Sequence, residues 1–195
     1  MNNSARSITH PLKTILKYWL LMAAIVTGLS GLLYAAVQQD LRQSANDPQI
    51  QMAEDTAAKL ADGQQVQNVV PSEKVDIANS LAPYIIIFDA TGKPIASSVQ
   101  LNGQTPTIPS GVFDYVRQNG EDRITWQPQS GVRSAIVVTQ FKGPNSGFVL
   151  AGRSLREVEI REDDIMHLIL LGWIAILLVT LLATAILFRL SLIHI

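Results

Sequence analysis

The chain has 195 residues, is 48% hydrophobic but only 16% charged, carries 15 Lys+Arg against 16 Asp+Glu, and contains no cysteine. An ordinary soluble domain is about 25% charged, so this composition points away from one. Without cysteine, a disulfide scaffold, a thiol redox or metal site and a lipoprotein-type cysteine anchor are all excluded.

The charges are unevenly placed. All 16 acidic residues lie between Asp40 and Asp164, in a window that holds 11 basic residues and so is net −5. Outside it stand only Arg6, Lys13, Lys17 and Arg189. Residues 18–37 carry no charge, and neither do residues 165–188, where His167 is the one titratable interruption. About twenty apolar residues at 1.5 Å rise cross a hydrocarbon core of roughly 30 Å, so each segment is read as a transmembrane helix. A cleaved signal peptide is the alternative for the first. Its apolar run is longer than an h-region, however, and Leu33 or Tyr34 occupies the −3 position of the plausible cuts.

The basic N-terminal flank and Arg189 place both ends in the cytoplasm by the positive-inside rule. The expected organisation is a cytoplasmic tail (1–17), a first span (18–37), an extracytoplasmic domain (38–164), a second span (165–188) and a short cytoplasmic tail (189–195), in the bacterial inner membrane. Ala23, Thr27 and Gly31, with Ala24 and Gly28 beside them, repeat at four-residue spacing and would let another helix approach closely. The neighbour is either the second span or a second copy in a homodimer. His167, next to Glu162, Asp163 and Asp164, reads as an interfacial imidazole, with pH sensing as the alternative.

Asp47 as cap with Pro48 at the first helical position predicts a helix ending near Gly63, with Ile50, Ala53, Ala57, Leu60 and Ala61 on one face. Residues 63–72 read as a polar connector and 73–81 as a short helix. The run YIIIFDATGKPIASS (84–98) predicts a hairpin turning at Asp89 to Gly92. A helix over 110–119 closed by Gly120 follows, then strands over 123–127, 133–141 and 147–153. The result is an α+β domain with a five-stranded antiparallel sheet, covered on both faces where residues 135–138 and 148–151 are continuously apolar. Ser154 and Glu157 form a capping-box pattern, and no Pro or Gly follows before Gly172, so the last strand feeds a helix running directly into the second span.

Little in the domain suggests catalysis. His10, His167 and His194 all lie in or beside the membrane segments, which removes a Ser-His triad or a His-ligated zinc from the domain, and no enzyme activity, metal or cofactor is expected. Glu121-Asp122 and Glu162 to Asp164 read as solvated charge, with divalent-cation binding as the alternative. Asp89 reads as a turn former. Candidate ligand contacts are Tyr115, Arg123, Trp126, Arg133 and Arg153, because guanidinium forks suit anions and aromatic rings line pockets. A net −5 domain without a basic stripe argues against nucleic acid.

The order of elements, together with Tyr84 to Asp89, Ala90, Thr91, Gly92 and Ile95 to Ser98, resembles the extracytoplasmic PAS-like or Cache modules of bacterial sensor histidine kinases and chemoreceptors. The resemblance covers residues 18–188. It implies a small-molecule or ion pocket, frequent dimerisation and a last helix that carries a signal inward to a membrane signalling partner. Only residues 189–195 follow the second span, with no phosphoacceptor His box and no Gly-rich nucleotide loop. The expectation is therefore a membrane sensor acting on a partner, or the input half of a longer sensor kinase. The alternative is a membrane-anchored assembly factor without a ligand.

Overall fold

The structure is a computed structural model and describes residues 4–44, 46–143 and 145–193. Pro144 and His194 lie outside the described residues, as do the side chains of Arg6 and His10. In chain order the elements are α1 (Ser4–Ser44), α2 (Asp47–Ala61), α3 (Val66–Val69), β1 (Val75–Asp76), β2 (Tyr84–Asp89), β3 (Pro94–Ser97), β4 (Val99–Gln100), α4 (Ser110–Asn119), β5 (Glu121–Gln129), β6 (Val132–Phe141), β7 (Gly147–Ser154) and α5 (Arg156–Ile193). The chain divides into two compact units, one formed by the segments up to Asp40 and from Arg161, the other by Leu41–Ile160.

The first unit consists of the apolar parts of α1 and α5. Both helices are long and apolar enough to cross a membrane. Leu21, Leu32, Leu171 and Leu182 are each more than 60% exposed, an apolar surface that suits lipid and not water. Half-buried positions recur at three- and four-residue intervals: Trp19, Ala23, Val26, Ser30 and Tyr34 on α1, and Ile165, Ile169, Trp173, Leu177 and Thr180 on α5. That periodicity is the seam of an antiparallel helix pair. Two indole hydrogen bonds fix its register: Trp19 Nε1–H donates to the Leu177 carbonyl at 3.1 Å and Trp173 Nε1–H to Thr27 Oγ1 at 3.0 Å.

In the second unit the five long strands lie in the order β3-β2-β7-β6-β5, every neighbouring pair antiparallel. The first and last of them, β2 and β7, pair along the whole length of β2, Tyr84 opposite Gly152 and Asp89 opposite Gly147. Because side chains alternate across a strand, the continuous apolar runs give the sheet two dry faces. On one face Ala53, Ala57 and Leu60 of α2 pack on Ile85, Ile87, Val137, Val149 and Ala151. On the other, Phe113 and Val116 of α4 pack on Phe88, Ile136, Phe148 and Leu150. There the Phe113 ring lies 5.0 Å from Phe88 and 4.9 Å from Phe148, and the Arg117 guanidinium caps Phe148 at 5.2 Å. The five-stranded antiparallel sheet covered on both faces is the arrangement expected from the strand patterns.

Three local expectations are corrected. Asp47 is the first residue of α2, not its cap; Asn46 holds the cap position, and its side chain makes no capping hydrogen bond. The helix expected over 73–81 is absent. Residues 75–76 form β1, which pairs in parallel with β4, while the Asp76 carboxylate accepts hydrogen bonds from the Ala78 amide and the Asn79 side chain and turns the chain. The short helix lies earlier, as α3, inside the expected connector. Finally, the Ser154 hydroxyl meets the Arg156 amide at 3.3 Å, so the capping box with Glu157 does not close.

Candidate functional site: a cleft at the β2–β3 turn

The turn between β2 and β3 is built on one carboxylate. Asp89 Oδ1 accepts the Thr91 amide at 2.8 Å, the Thr91 hydroxyl at 2.6 Å and the Lys93 amide at 3.0 Å. These donors favour the ionised form, the Thr91 hydroxyl most, and hold the Asp89 carboxyl below its ordinary value. Gly92 is required twice: its φ is +87°, and a Cβ there would stand 2.8 Å from the Phe113 ring. Arg117 of α4 donates to the Ala90 carbonyl at 3.0 Å, so the turn is held from both ends.

A pH consequence follows. A carboxyl whose pKa is depressed on folding contributes stability that is fully present above the unfolded value and is lost as pH falls through the folded value. Wild type is therefore expected to lose more thermal stability than Asp89→Asn when pH is lowered from 5 toward 2. Near-ultraviolet circular dichroism melts of the detergent-solubilised chain read the difference, and equal losses would remove Asp89 from the acid limb.

The turn forms one wall of a cleft of about 550 Å³ in the sheet unit, within the range of small-molecule sites. Leu60 at the end of α2, Val66 of α3, Phe141 at the end of β6 and Ile95 of β3 provide apolar walls, with Asp89 and Ala90 at the turn. Ile95, on the edge strand β3, is 50% exposed.

The five ligand contacts proposed from sequence do not line this cleft. The cross-strand register places Arg123, Arg133 and Arg153 on the α2 side of the sheet, since Arg123 is opposite Val137 and Arg153 opposite Ala135. Trp126, opposite Ser134, projects from the other side and is buried in the core there. Tyr115 lies on α4, about half exposed. Arg123 is paired with Glu121, and Arg133 with Glu159 at the start of α5. The sheet thus brings the three arginines to one face and separates them from the two aromatics.

Sequence reasoning identified Asp89 as a turn former but missed the cleft. Its walls come from three separated segments, 60–66, 89–95 and 141–146, and the only local sign was an isoleucine beside a polar turn.

Two other features stand out. Tyr84 Oη and Ser134 Oγ are buried on the α4 side of the sheet without hydrogen-bond partners among the described residues. Burial pushes the Tyr84 phenol up; Ser134 is near enough to offset part of that rise, but the two hydroxyls do not reach hydrogen-bonding geometry. In the helix pair, Ala23 sits in the seam and Thr27 accepts from Trp173, whereas Ala24 and Gly28 are exposed. Gly31, also exposed, borders a shallow apolar groove of about 290 Å³ with Thr27, Tyr34, Met166 and Trp173. Neither a scan against protein families nor a search of curated proteins returns a match to this chain.

Proposed function

We propose that this chain is a two-span inner-membrane sensor: an extracytoplasmic PAS-like domain receives a small ligand or partner and passes the change through α5, without catalytic output of its own. The central pairing of the first and last long strands supports the PAS-like reading, and the two exposed apolar helices support the membrane reading. The single observation that carries the proposal is the join between β7 and α5. Only Leu155 separates strand from helix. Its amide donates to the Arg133 carbonyl at 2.9 Å, its carbonyl accepts the Glu159 amide at 2.9 Å, and Arg133 is ion-paired with Glu159. A movement of the sheet is thereby imposed on the first turn of α5 with no loop to absorb it. The cleft favours ligand sensing over an assembly factor that binds none.

The topology is tested first. Because the chain has no cysteine, each introduced one is a unique label. A membrane-impermeant maleimide on intact spheroplasts is expected to modify Gln104→Cys, which is exposed in the sheet unit, and to leave Lys13→Cys unmodified until the membrane is opened. The reverse pattern, or equal labelling, would overturn the orientation and with it the reading as an extracytoplasmic sensor.

A further inference from the structure

The chemistry of the cleft selects a ligand class. Asp89 is the one charged residue among the described residues lining it. The three donors on its carboxylate all converge on Oδ1, which leaves Oδ2 without a hydrogen-bond partner among the described residues on a group that is ionised at neutral pH. Leu60 adds the C-terminal end of α2, where a helix presents about half an elementary negative charge. Lys93 is exposed and near enough to help lower the Asp89 pKa, but it stands outside the lining, so an anion in the cleft would meet the Asp89 carboxylate first.

The rest of the lining is mixed: Leu60, Val66, Ala90, Ile95 and Phe141 are apolar, while Gln64, Thr91, Asn145 and Ser146 are polar but uncharged. A bare divalent cation asks for six to eight oxygen ligands, usually with several carboxylates among them; the described lining offers the single carboxylate of Asp89, and Leu60, Val66, Ala90, Ile95 and Phe141 offer no side-chain oxygen. They do supply contact area for a carbon skeleton, and Ile95 is already turned toward solvent at the rim.

From this combination we infer that the cleft binds a small organic ammonium ion, its charged nitrogen on Asp89 and its hydrocarbon body against Leu60, Val66, Ile95 and Phe141. Charge-assisted hydrogen bonding to the carboxylate fixes the orientation, and burial of the apolar body supplies the rest of the affinity. The assignment deepens the sensing proposal by naming a ligand class, and rests on it only in that a ligand is expected at all.

The test is calorimetric titration of the full chain in neutral-lipid nanodiscs with 2-phenylethylammonium, cyclohexylammonium and butane-1,4-diammonium, beside 2-phenylethanol and 3-phenylpropionate as neutral and anionic counterparts. Partitioning into lipid cancels by comparison with Ala90→Trp, a substitution at an exposed position that fills the cleft. Asp89→Asn keeps an acceptor oxygen for the turn and removes the charge.

The expected result is saturable binding of at least one ammonium ion, abolished by Ala90→Trp, weakened about tenfold or more by Asp89→Asn, and stronger than that of either counterpart. Undiminished binding in Asp89→Asn, or no saturable binding of any ammonium ion, would overturn the inference. If a counterpart binds better than the ammonium ions and Ala90→Trp blocks it, the cationic class fails while a sensing cleft stands. If nothing binds in the cleft but another ligand still shifts a reporter on α5, the site fails and the sensing proposal stands.

Discussion

Gly147→Ala is expected to destabilise the sheet unit by about 3 kcal/mol, at the upper end of overpacking costs. Gly147 opens β7 opposite Asp89 of β2 and Phe141 of β6, so it sits inside the ladder and not in a loop. A Cβ built there would lie 2.2 Å from the Phe88 carbonyl oxygen and 3.0 Å from the Phe141 ring. A ring can rotate away, but the carbonyl belongs to the central β2–β7 pair and moves only if the pair separates. Gly111→Ala is the control. It lies in α4 with nothing within 4 Å of the added methyl, and its effect is expected to stay within about 1 kcal/mol on the stabilising side. Urea titration of the detergent-solubilised chain, with amide hydrogen exchange of β2 and β7 as the local readout, separates the two. Equal stability of the two variants would mean that β7 does not approach β2 as described.

Inserting two glycines between Leu155 and Arg156 is expected to leave ligand affinity within about twofold and to abolish the ligand-induced response of α5. The insertion leaves the cleft untouched, because its walls are contributed by residues before β7. It does interrupt the bond from the Glu159 amide to the Leu155 carbonyl and moves Glu159 away from Arg133, removing the two contacts that bind the first turn of α5 to Leu155 and to β6. Glycine has no Cβ to restrict the backbone, so the insert acts as a flexible joint. A spin label at Leu171→Cys, an exposed position on α5, gives the readout. A spectrum that changes with ligand in the parent and not in the insertion variant is the expected pair of results. An unchanged response after insertion would sink the idea that α5 carries the signal from the sheet.

Much of the architecture was legible before any coordinates, for a common reason: it rests on periodicities that one segment carries by itself. The uncharged runs of 20 and 24 residues give α1 and α5 their apolar surfaces. The two-residue alternation lost in 135–138 and 148–151 corresponds to the two faces packed by α2 and α4. Asp89, two residues before Thr91 and three before Gly92, specifies its own turn through bonds to its immediate neighbours.

The misreadings fall where a partner distant in sequence decides the outcome. Residues 75–76 carry no strand signal of their own; they become β1 because the Val75 amide reaches Ser98 and the Ile77 amide reaches Gln100. Trp126 resembled a pocket aromatic, yet its register opposite Ser134 turns it into the core, while the arginines on alternate positions emerge on the other side. The seam of α1 also departs from the small-residue stripe. Trp19 and Trp173 spend their indole donors across the pair and set which positions face inward, leaving Ala24 and Gly28 outside.

The sequence by itself therefore determined two apolar helices, an acidic domain between them, the strands of an antiparallel sheet and the carboxylate that shapes its first hairpin. Tertiary structure alone decided the strand order, the division of side chains between faces, and the cleft that gathers Leu60, Val66, Asp89, Ile95 and Phe141. The physical reason is range. Amphipathic period, caps and turn chemistry act over a few residues and are written locally, whereas a cleft is the space left when separate segments pack, and its contents are fixed only once the registers of those segments are set.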